Sequence, residues 1–171
     1  MREIMVVSER EYRVTFPISW QERVASLIAN RNFVVITPEK LVPMLKGAFP
    51  RELIISTEDG EAQKSLSFYT KAMERIATLG LNRSSIVVAI GGGATTDLAG
   101  FIAATFLRGI DWIAIPTTVA GMVDAAIGGK TGVNLAAGKN LAGAFHSPSE
   151  VIIDIGWINS LSERDIRAGL A

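Results

Sequence analysis

SIVVAIGGGATTDLAGFIAATFLRG, residues 85–109, decides the fold, because a strand, a glycine turn and a helix follow one another in it without a gap. Residues 86–90 are apolar and rich in β-branched side chains, which is typical of a strand covered on both faces in a parallel sheet. The glycines at 91–93 end the strand, since they allow a sharp turn and the close approach of a phosphate. The apolar positions after them predict a helix wedged between layers, which Arg108 and Gly109 close.

The first turn of this helix carries Thr95, Thr96 and Asp97. Their side-chain oxygens can satisfy the free N–H groups of the new helix, whose positive end is a natural anion site. The element therefore predicts a site for phosphate or pyrophosphate. Two alternatives stay open on the residues alone: a tight turn with a purely structural role, and an Asp97 that only complements the helix dipole.

Strands and helices alternate along the rest of the chain. Strands are predicted at 3–7, 12–16, 33–37, 52–56, 111–115 and 151–155, and helices at 19–29, 38–46, 62–79 and from Ser162 onward. Residues 121–145 are rich in glycine and alanine and predict a shaped loop. This alternation predicts an α/β fold with a mostly parallel sheet. Ligands should bind beyond the carboxyl ends of the strands, where residues 59–61, 91–93 and 116–118 collect.

Composition excludes several classes of protein. With 49% hydrophobic and 20% charged residues, disorder is not expected, and no apolar run approaches a membrane span. Seventeen basic residues balance seventeen acidic ones, so no nucleic-acid partner is implied. The chain has no cysteine, which excludes disulfides and zinc–thiolate sites. Together with a start that does not resemble a secretory leader, this predicts a cytoplasmic protein without a membrane partner.

The glycine-rich region places Lys130 and Lys139 among small residues, next to Asn140 and the carboxylate of Asp124. Such lysines are candidate anion ligands, and Asp124 could act on a hydroxyl proton or hold a lysine in place. The alternative is a pair of surface lysines on a loop. His146 is the only histidine and is interpreted as a loop residue, because one histidine cannot build a metal site.

Three blocks, VAIGGGATTDLAGFIAATFLRG, IPTTVAGMVDAAIGGKTGVN and GKNLAGAFHSPSEVIIDI, resemble the 3-dehydroquinate synthase family. The resemblance covers nearly the whole chain from about residue 34, and the family is related to other sugar-phosphate cyclases. It implies a Rossmann-like domain of an NAD-dependent carbon–oxygen lyase in the shikimate pathway. That enzyme converts 3-deoxy-D-arabino-heptulosonate 7-phosphate into 3-dehydroquinate and phosphate and leaves the cofactor unchanged.

The resemblance also implies roles for residues of this chain. Asp124 and Asn140 would bind substrate hydroxyls or carboxylate, and Arg108 would reach the phosphate or the site of a partner subunit in a homodimer. Lys130 and Lys139 would contact both cofactor and substrate. Residues 157–160 would close over the cofactor. The NAD site would comprise Asp59, Glu61, Lys64, Gly92, Gly93, Ala94, Thr95, Thr96, Asp97, Thr117, Thr118, Lys130, Lys139, Trp157 and Ser160.

Three positions depart from the family pattern. Thr96 stands where the family has a glycine. The family also has a Thr-Asp pair whose aspartate holds a ribose, whereas this chain has Thr37-Pro38, so that carboxylate is missing unless Glu39 supplies it. The family's metal ligands, a glutamate and two histidines, have no counterpart, so a zinc or cobalt ion would be bound by residues outside this sequence. We therefore expect residues 1–160 to form the NAD-binding domain and 161–171 to begin a truncated helical metal-binding domain, with the fragment inactive alone.

Two other classes of function remain compatible with the sequence. One is another sugar-phosphate cyclase or a metal-dependent polyol dehydrogenase. The other is a non-catalytic module for nucleotide binding or dimerisation. A net change in NADH would separate the dehydrogenase from the cyclase, and a lack of nucleotide binding would favour the module.

Overall fold

The computed structural model describes residues 2–16 and 19–170. Met1 and Ala171, the outer limits of the two predicted domains, lie outside the described residues. The strands are β1 (Arg2–Val7), β2 (Glu11–Phe16), β3 (Phe33–Pro38), β4 (Ile54–Thr57), β5 (Ile86–Gly91), β6 (Asp111–Pro116), β7 (Lys130–Leu135), β8 (Gly138–Phe145) and β9 (Glu150–Ile152). The helices are α1 (Trp20–Ile28), α2 (Leu66–Thr78), α3 (Gly93–Thr105) and α4 (Glu163–Leu170), with short 3₁₀ turns between elements.

Seven strands form one sheet in the order β1-β2-β9-β6-β5-β3-β4. Every neighbouring pair is parallel except β1 and β2, which run antiparallel at one edge. The central strand β5 is buried along its whole length, as its continuous apolar sequence predicts. The predicted α/β fold with a mostly parallel sheet is therefore confirmed.

Both faces of the sheet are covered. One core contains α2 and α3 with the near faces of β5 and β6, and the other contains α1 with the opposite faces of the same strands. Leu98, Ala99, Ile102 and Ala103 of α3 are completely buried. The small residues matter because Gly100 lies so close to β7 that a Cβ there would collide with the side chain of Thr131. Helix α3 is thus wedged between the sheet and a second layer, as predicted.

That second layer corrects the prediction of a loop at 121–145. Gly121–Ala125 forms a π-helical turn, and β7 pairs with β8 in an antiparallel hairpin with a register shift between Val133 and Leu135. Glycine permits this hairpin, since a Cβ at Gly132 would lie 2.8 Å from the carbonyl oxygen of Ala142. The hairpin packs on the outer side of α3 and forms one wall of the site described below.

Two helix starts also differ from the prediction. Helix α2 begins at Leu66 instead of residue 62, because a separate 3₁₀ turn occupies Gly60–Gln63 and the Ser65 hydroxyl caps the helix by accepting from the N–H of Phe68. Leu66 is half exposed and does not belong to the buried face of α2. The cap of α3 is Gly92, not a threonine or aspartate side chain.

Candidate functional site

Two clefts open at the carboxyl edge of the sheet, each of about 580 Å³. The first lies where β5 and β6 end, and its wall includes Gly92, Gly93 and Ala94; we call it the glycine cleft. The second lies between the N-terminal part of α3 and the hairpin, and its wall includes Lys130, Asp97 and Asn140; we call it the lysine cleft. The two are neighbours because α3 contributes residues to both.

The glycine cleft offers backbone N–H groups at the start of a helix. The first backbone N–H groups of α3 that form hydrogen bonds with a carbonyl are those of Thr95 and Thr96, and both donate to the oxygen of Gly92. The N–H groups of Gly93 and Ala94 come before them and have no carbonyl one turn back to bind. Since the helix dipole adds positive potential at this point, the cleft suits an anion such as a pyrophosphate.

Close packing leaves no room for side chains at this turn. A Cβ on Gly92 would lie 3.2 Å from Cγ2 of Thr118, and one on Gly93 would lie 2.8 Å from Cβ of Ala125. At Gly91 a Cβ would collide with the side chain of Thr95. Glycine is therefore required for the turn to form, in addition to letting a ligand approach.

The far end of the glycine cleft is polar and exposed. Lys40 and Asp59 line it and form an ion pair of 2.6 Å, with both side chains more than half exposed. Glu39 instead pairs with Arg51, 3.3 Å away, and a hydrogen bond with Ser56 lowers the pKa of its carboxyl. Asp59 therefore lines the cleft together with Pro38, whereas Glu39 does not.

Lys64 lies between the two clefts and is 3% exposed. Its ammonium donates to the carboxylate of Asp97 at 2.7 Å and to the side-chain oxygen of Asn140, and the carboxylate of Glu61 lies 3.7 Å away. A buried charge needs such partners, because an unpaired ion in the interior costs on the order of several kcal/mol. Lys64 therefore joins the turn after β4, the start of α3 and the hairpin.

Burial dominates the electrostatics of Asp97. It raises the pKa of the carboxyl above its ordinary value, although the hydrogen bond and charge of Lys64 act in the opposite direction. Lys130 on the other side of the lysine cleft also lowers this pKa, to a smaller extent. Asp97 is thus a carboxylate held by one buried cation and facing a second.

The lysine cleft can bind an anionic, hydroxylated ligand. Lys130 supplies an ammonium on β7, Asp124 supplies an exposed carboxylate on the π-helical turn, and Asn140 supplies an amide. Leu141 and Phe145 of β8 add apolar wall although both are largely exposed. The mixture of cation, carboxylate and amide suits a small polar molecule with acidic groups.

The structure brings most of the sequence-predicted residues to these clefts. The glycine cleft is lined by Asp59, Glu61, Gly92, Gly93, Ala94, Thr95, Thr117, Thr118 and Ser160, and the lysine cleft by Asp97, Asp124, Lys130 and Asn140. Lys139 is exposed on the hairpin next to Asn140. Thr96 is buried, and its hydroxyl donates to the carbonyl of Gly93, so it is not offered to a ligand.

Two predicted residues lie elsewhere. Trp157 is buried in the core, with its ring 6.0 Å from that of Trp20, so it does not cover the glycine cleft. Arg108 is exposed after α3, at the opposite end of a helix about 20 Å long. His146 contacts the carbonyl oxygen of Ile110 with its ring nitrogen, which agrees with its interpretation as a loop residue.

No group of three or more histidine, aspartate or glutamate side chains that could hold a metal ion occurs within residues 2–16 and 19–170. The residues of the lysine cleft therefore do not fit a resident divalent metal. The same described residues contain no helix of the length and apolarity needed to cross a bilayer.

Comparison with known proteins identifies the family. The profile described as 3-dehydroquinate synthase N-terminal matches residues 54–168, which include the lining of the lysine cleft and most of the lining of the glycine cleft. This chain belongs to the 3-dehydroquinate synthase family. A 3-dehydroquinate synthase of Cutibacterium acnes is 44% identical over 172 residues, which cover 100% of this chain and 48% of that protein.

Solved structures of sugar-phosphate cyclases have the same fold. A 2-deoxy-scyllo-inosose synthase complexed with carbaglucose-6-phosphate, NAD⁺ and Co²⁺ matches with a TM-score of 0.86 and 31% identity, over 99% of this chain and 49% of its own. The 2-epi-5-epi-valiolone synthase of Streptomyces hygroscopicus subsp. jinggangensis 5008, with NAD⁺ and Zn²⁺ bound, matches with a TM-score of 0.84 and 27% identity, over 98% and 49%. This chain spans about half the length of these relatives.

Asn134 is a residue that the sequence analysis missed. It belongs to the block GGKTGVN, and its side-chain amide binds both Glu61 and the backbone of Asn140. The only signal in the sequence is an asparagine in a glycine-rich stretch that predicts a loop, where such residues are common for purely local reasons.

Proposed function

We propose that this chain is the NAD-binding half of a 3-dehydroquinate synthase, which converts 3-deoxy-D-arabino-heptulosonate 7-phosphate into 3-dehydroquinate and phosphate. The observation that carries the proposal is the arrangement of the two clefts: a helix N-terminus free of side chains opens beside a site with a lysine, an amide and two carboxylates. Such an arrangement would allow a dinucleotide and a small acidic sugar to lie next to each other.

The glycine cleft fits NAD because its backbone N–H groups are free and close packing excludes side chains at the turn. Gly93 and Ala94 would donate to the pyrophosphate, as expected for the start of a helix. The other residues proposed to hold NAD are Asp59, Glu61, Gly92, Thr95, Thr117, Thr118 and Ser160, all of which line the cleft. When bound, NAD would supply the acceptor for the hydride of the ring carbon that carries the hydroxyl being oxidised, and would return that hydride later.

The lysine cleft would bind the substrate. Lys130 would hold an anionic group, and Lys139, exposed beside the cleft, would approach cofactor and substrate from the hairpin. Asn140 would donate to a carboxylate or phosphate oxygen, and Asp124 would accept a hydrogen bond from a hydroxyl. Asp97, fixed by Lys64, would orient the ligand at the junction of the two clefts.

Several parts of the proposal depend on groups beyond these residues. The divalent metal, zinc or cobalt, would be bound by residues outside this sequence. Arg108 is exposed far from both clefts and would serve the site of a second subunit in a homodimer. We further propose that residues 1–160 act as the cofactor domain, that 161–171 lead into a metal-binding domain, and that the 171-residue chain alone has no synthase activity. The protein would work in the cytoplasm on a small-molecule substrate.

The test is phosphate release from the heptulosonate phosphate by a full-length synthase that carries this chain, with NAD and added zinc or cobalt. We expect the full-length enzyme to release phosphate without net formation of NADH. The 171-residue chain alone should release no phosphate. Net NADH would identify a polyol dehydrogenase, turnover of a different sugar phosphate would identify another cyclase, and no reaction at all would favour a binding module.

The lysines provide the variants for this assay. Lys130→Ala and Lys139→Ala should each lower kcat/KM by roughly 10- to 100-fold, because a charge-assisted hydrogen bond contributes about 1.5–3 kcal/mol. Lys71→Ala on the exposed side of α2 is the matched control and should retain full activity. Normal catalysis by either cleft variant would return that lysine to a surface role.

A further inference from the structure

Asn140 has an unusual backbone conformation. Its φ of 56° lies in the left-handed region, which non-glycine residues avoid and which asparagine tolerates better than most. Such a conformation persists in a folded protein only when its surroundings hold it in place. Asn140 also lines the lysine cleft, so whatever holds its backbone also sets where its side chain points.

Two contacts hold Asn140. Its backbone N–H donates to the side-chain oxygen of Asn134 at 2.9 Å, and its own side-chain oxygen accepts from the ammonium of Lys64. The second contact fixes the amide by chemistry, because an ammonium can only donate. The oxygen of Asn140 therefore faces Lys64, and its NH₂ group remains to donate to a ligand in the lysine cleft.

Asn134 is fixed in the same way. Its NH₂ group donates to the carboxylate of Glu61 at 2.8 Å, which turns its oxygen toward the N–H of Asn140. Its backbone N–H donates to the carbonyl of Lys64 at 2.7 Å, where the chain of β7 also bridges to Ser65. The NH₂ group and the backbone N–H of Asn134 thus join the hairpin to the turn after β4, and its side-chain oxygen joins the two strands of the hairpin.

We propose that Asn134 is a positioning residue for the lysine cleft: it holds Asn140 in the left-handed conformation and so presents the NH₂ group of Asn140 to an acceptor on the substrate. The proposal rests on the proposed function, in which the lysine cleft binds the substrate. What it adds is the residue that orients Asn140 toward the carboxylate or phosphate oxygen of the ligand.

The first experiment measures the conformation directly, without activity. Amide hydrogen exchange of the 171-residue chain, followed by NMR, should show a protected N–H at Asn140 in the wild type. Asn134→Ala should increase its exchange rate at least tenfold. The double change Asn134→Asp with Glu61→Gln should restore most of the protection, because it keeps an acceptor oxygen for the Asn140 N–H and a hydrogen bond between positions 134 and 61. Asn32→Ala, a change at an exposed asparagine before β3, is the control and should leave the Asn140 amide unchanged.

The second experiment is a double-mutant cycle in the full-length synthase. Asn134→Ala should raise the KM for the heptulosonate phosphate by roughly tenfold, the size expected for one hydrogen bond, with kcat changed less. In a background of Asn140→Ala the same substitution should have little further effect, since the group that it positions is gone. A residue with only a structural role would lower activity equally in both backgrounds.

The outcomes separate the two proposals. If the synthase turns over no heptulosonate phosphate, the proposed function fails, and the exchange experiment still decides whether Asn134 holds Asn140. If Asn140 exchanges equally fast in the wild type and Asn134→Ala, the positioning role is wrong. Additive effects in the double-mutant cycle would also overturn it, even in a fully active enzyme.

Discussion

Replacing Lys64 by methionine tests the buried contact between the clefts. Methionine keeps most of the length and apolar character of the lysine stem but removes the ammonium, so Asp97 loses its cation and Asn140 loses its donor. The side chain of Lys64 is 3% exposed and that of Asp97 24% exposed. The change therefore leaves a carboxylate that water reaches only in part.

The structure sets the size of the effect. Removing one partner of a buried ion pair destabilises a protein by about 3–5 kcal/mol. We expect the lower value, about 3 kcal/mol, because the side chain of Asp97 is 24% exposed and water can partly solvate its charge. Lys40→Met is the matched control, since its ion pair with Asp59 is equally short but mostly exposed. Exposed pairs contribute about 0.2–1 kcal/mol, so the control should stay within that range.

The pH dependence supplies a second signature. Burial already raises the pKa of Asp97, and without Lys64 it should rise further. A carboxyl whose folded pKa lies above its unfolded value loses stability as the pH rises through the folded pKa. The deficit of Lys64→Met should therefore grow from about pH 4, near the unfolded value, to pH 7.

Urea unfolding of both variants and the wild type, followed by circular dichroism at the two pH values, provides the measurement. The reasoning is refuted if Lys64→Met costs no more than Lys40→Met at pH 7. It is also refuted if the cost is the same at both pH values, because the unpaired carboxylate would then not be its cause.

Two further predictions concern the fold. Gly100→Ala should lower the free energy of unfolding by about 1–3 kcal/mol in urea unfolding, because the new Cβ would collide with Thr131. A decrease of less than about 0.5 kcal/mol would show that α3 can move away from β7. Burial raises the pKa of Asp111, but the hydrogen bonds and charges of Arg10 and Arg31 outweigh it and hold the pKa below its ordinary value. Because the folded pKa is lowered, this stabilisation is present above the unfolded value of about 3.9 and is lost as the pH falls through the folded pKa, so Asp111→Asn should be less stable at pH 7 and equal to the wild type in acid. A difference that persists in acid would contradict this.

The sequence predicted the sheet well because its strands carry an unambiguous signal. Residues 86–90 are apolar on both faces, a pattern typical of a central strand of a parallel sheet. The turn and helix that follow also carry a clear signal, because glycines end the strand and the helix after them is apolar on more than one face. The edge that collects the ligand groups then follows from the parallel order of the strands.

The hairpin at 130–145 was missed because its residues carry no such signal. Glycine and alanine have low β-propensity, and this hairpin is held by close backbone approach at Gly132 and by packing on α3 instead. The burial of Trp157 and the contacts of Lys64 with both Asp97 and Asn140 could not be predicted either. Both depend on which distant elements meet, which local pattern does not encode.

Binding of NAD to the 171-residue chain, titrated by calorimetry, tests the central claim most directly, because that claim places the pyrophosphate at the N-terminus of α3. We expect weak but saturable binding to the wild type. Gly93→Val should weaken it, since the new Cβ would collide with Cβ of Ala125 and displace the turn whose N–H groups would bind the phosphate. A folded wild-type chain that gives no heat at millimolar NAD, or a Gly93→Val variant with unchanged affinity, would contradict the account.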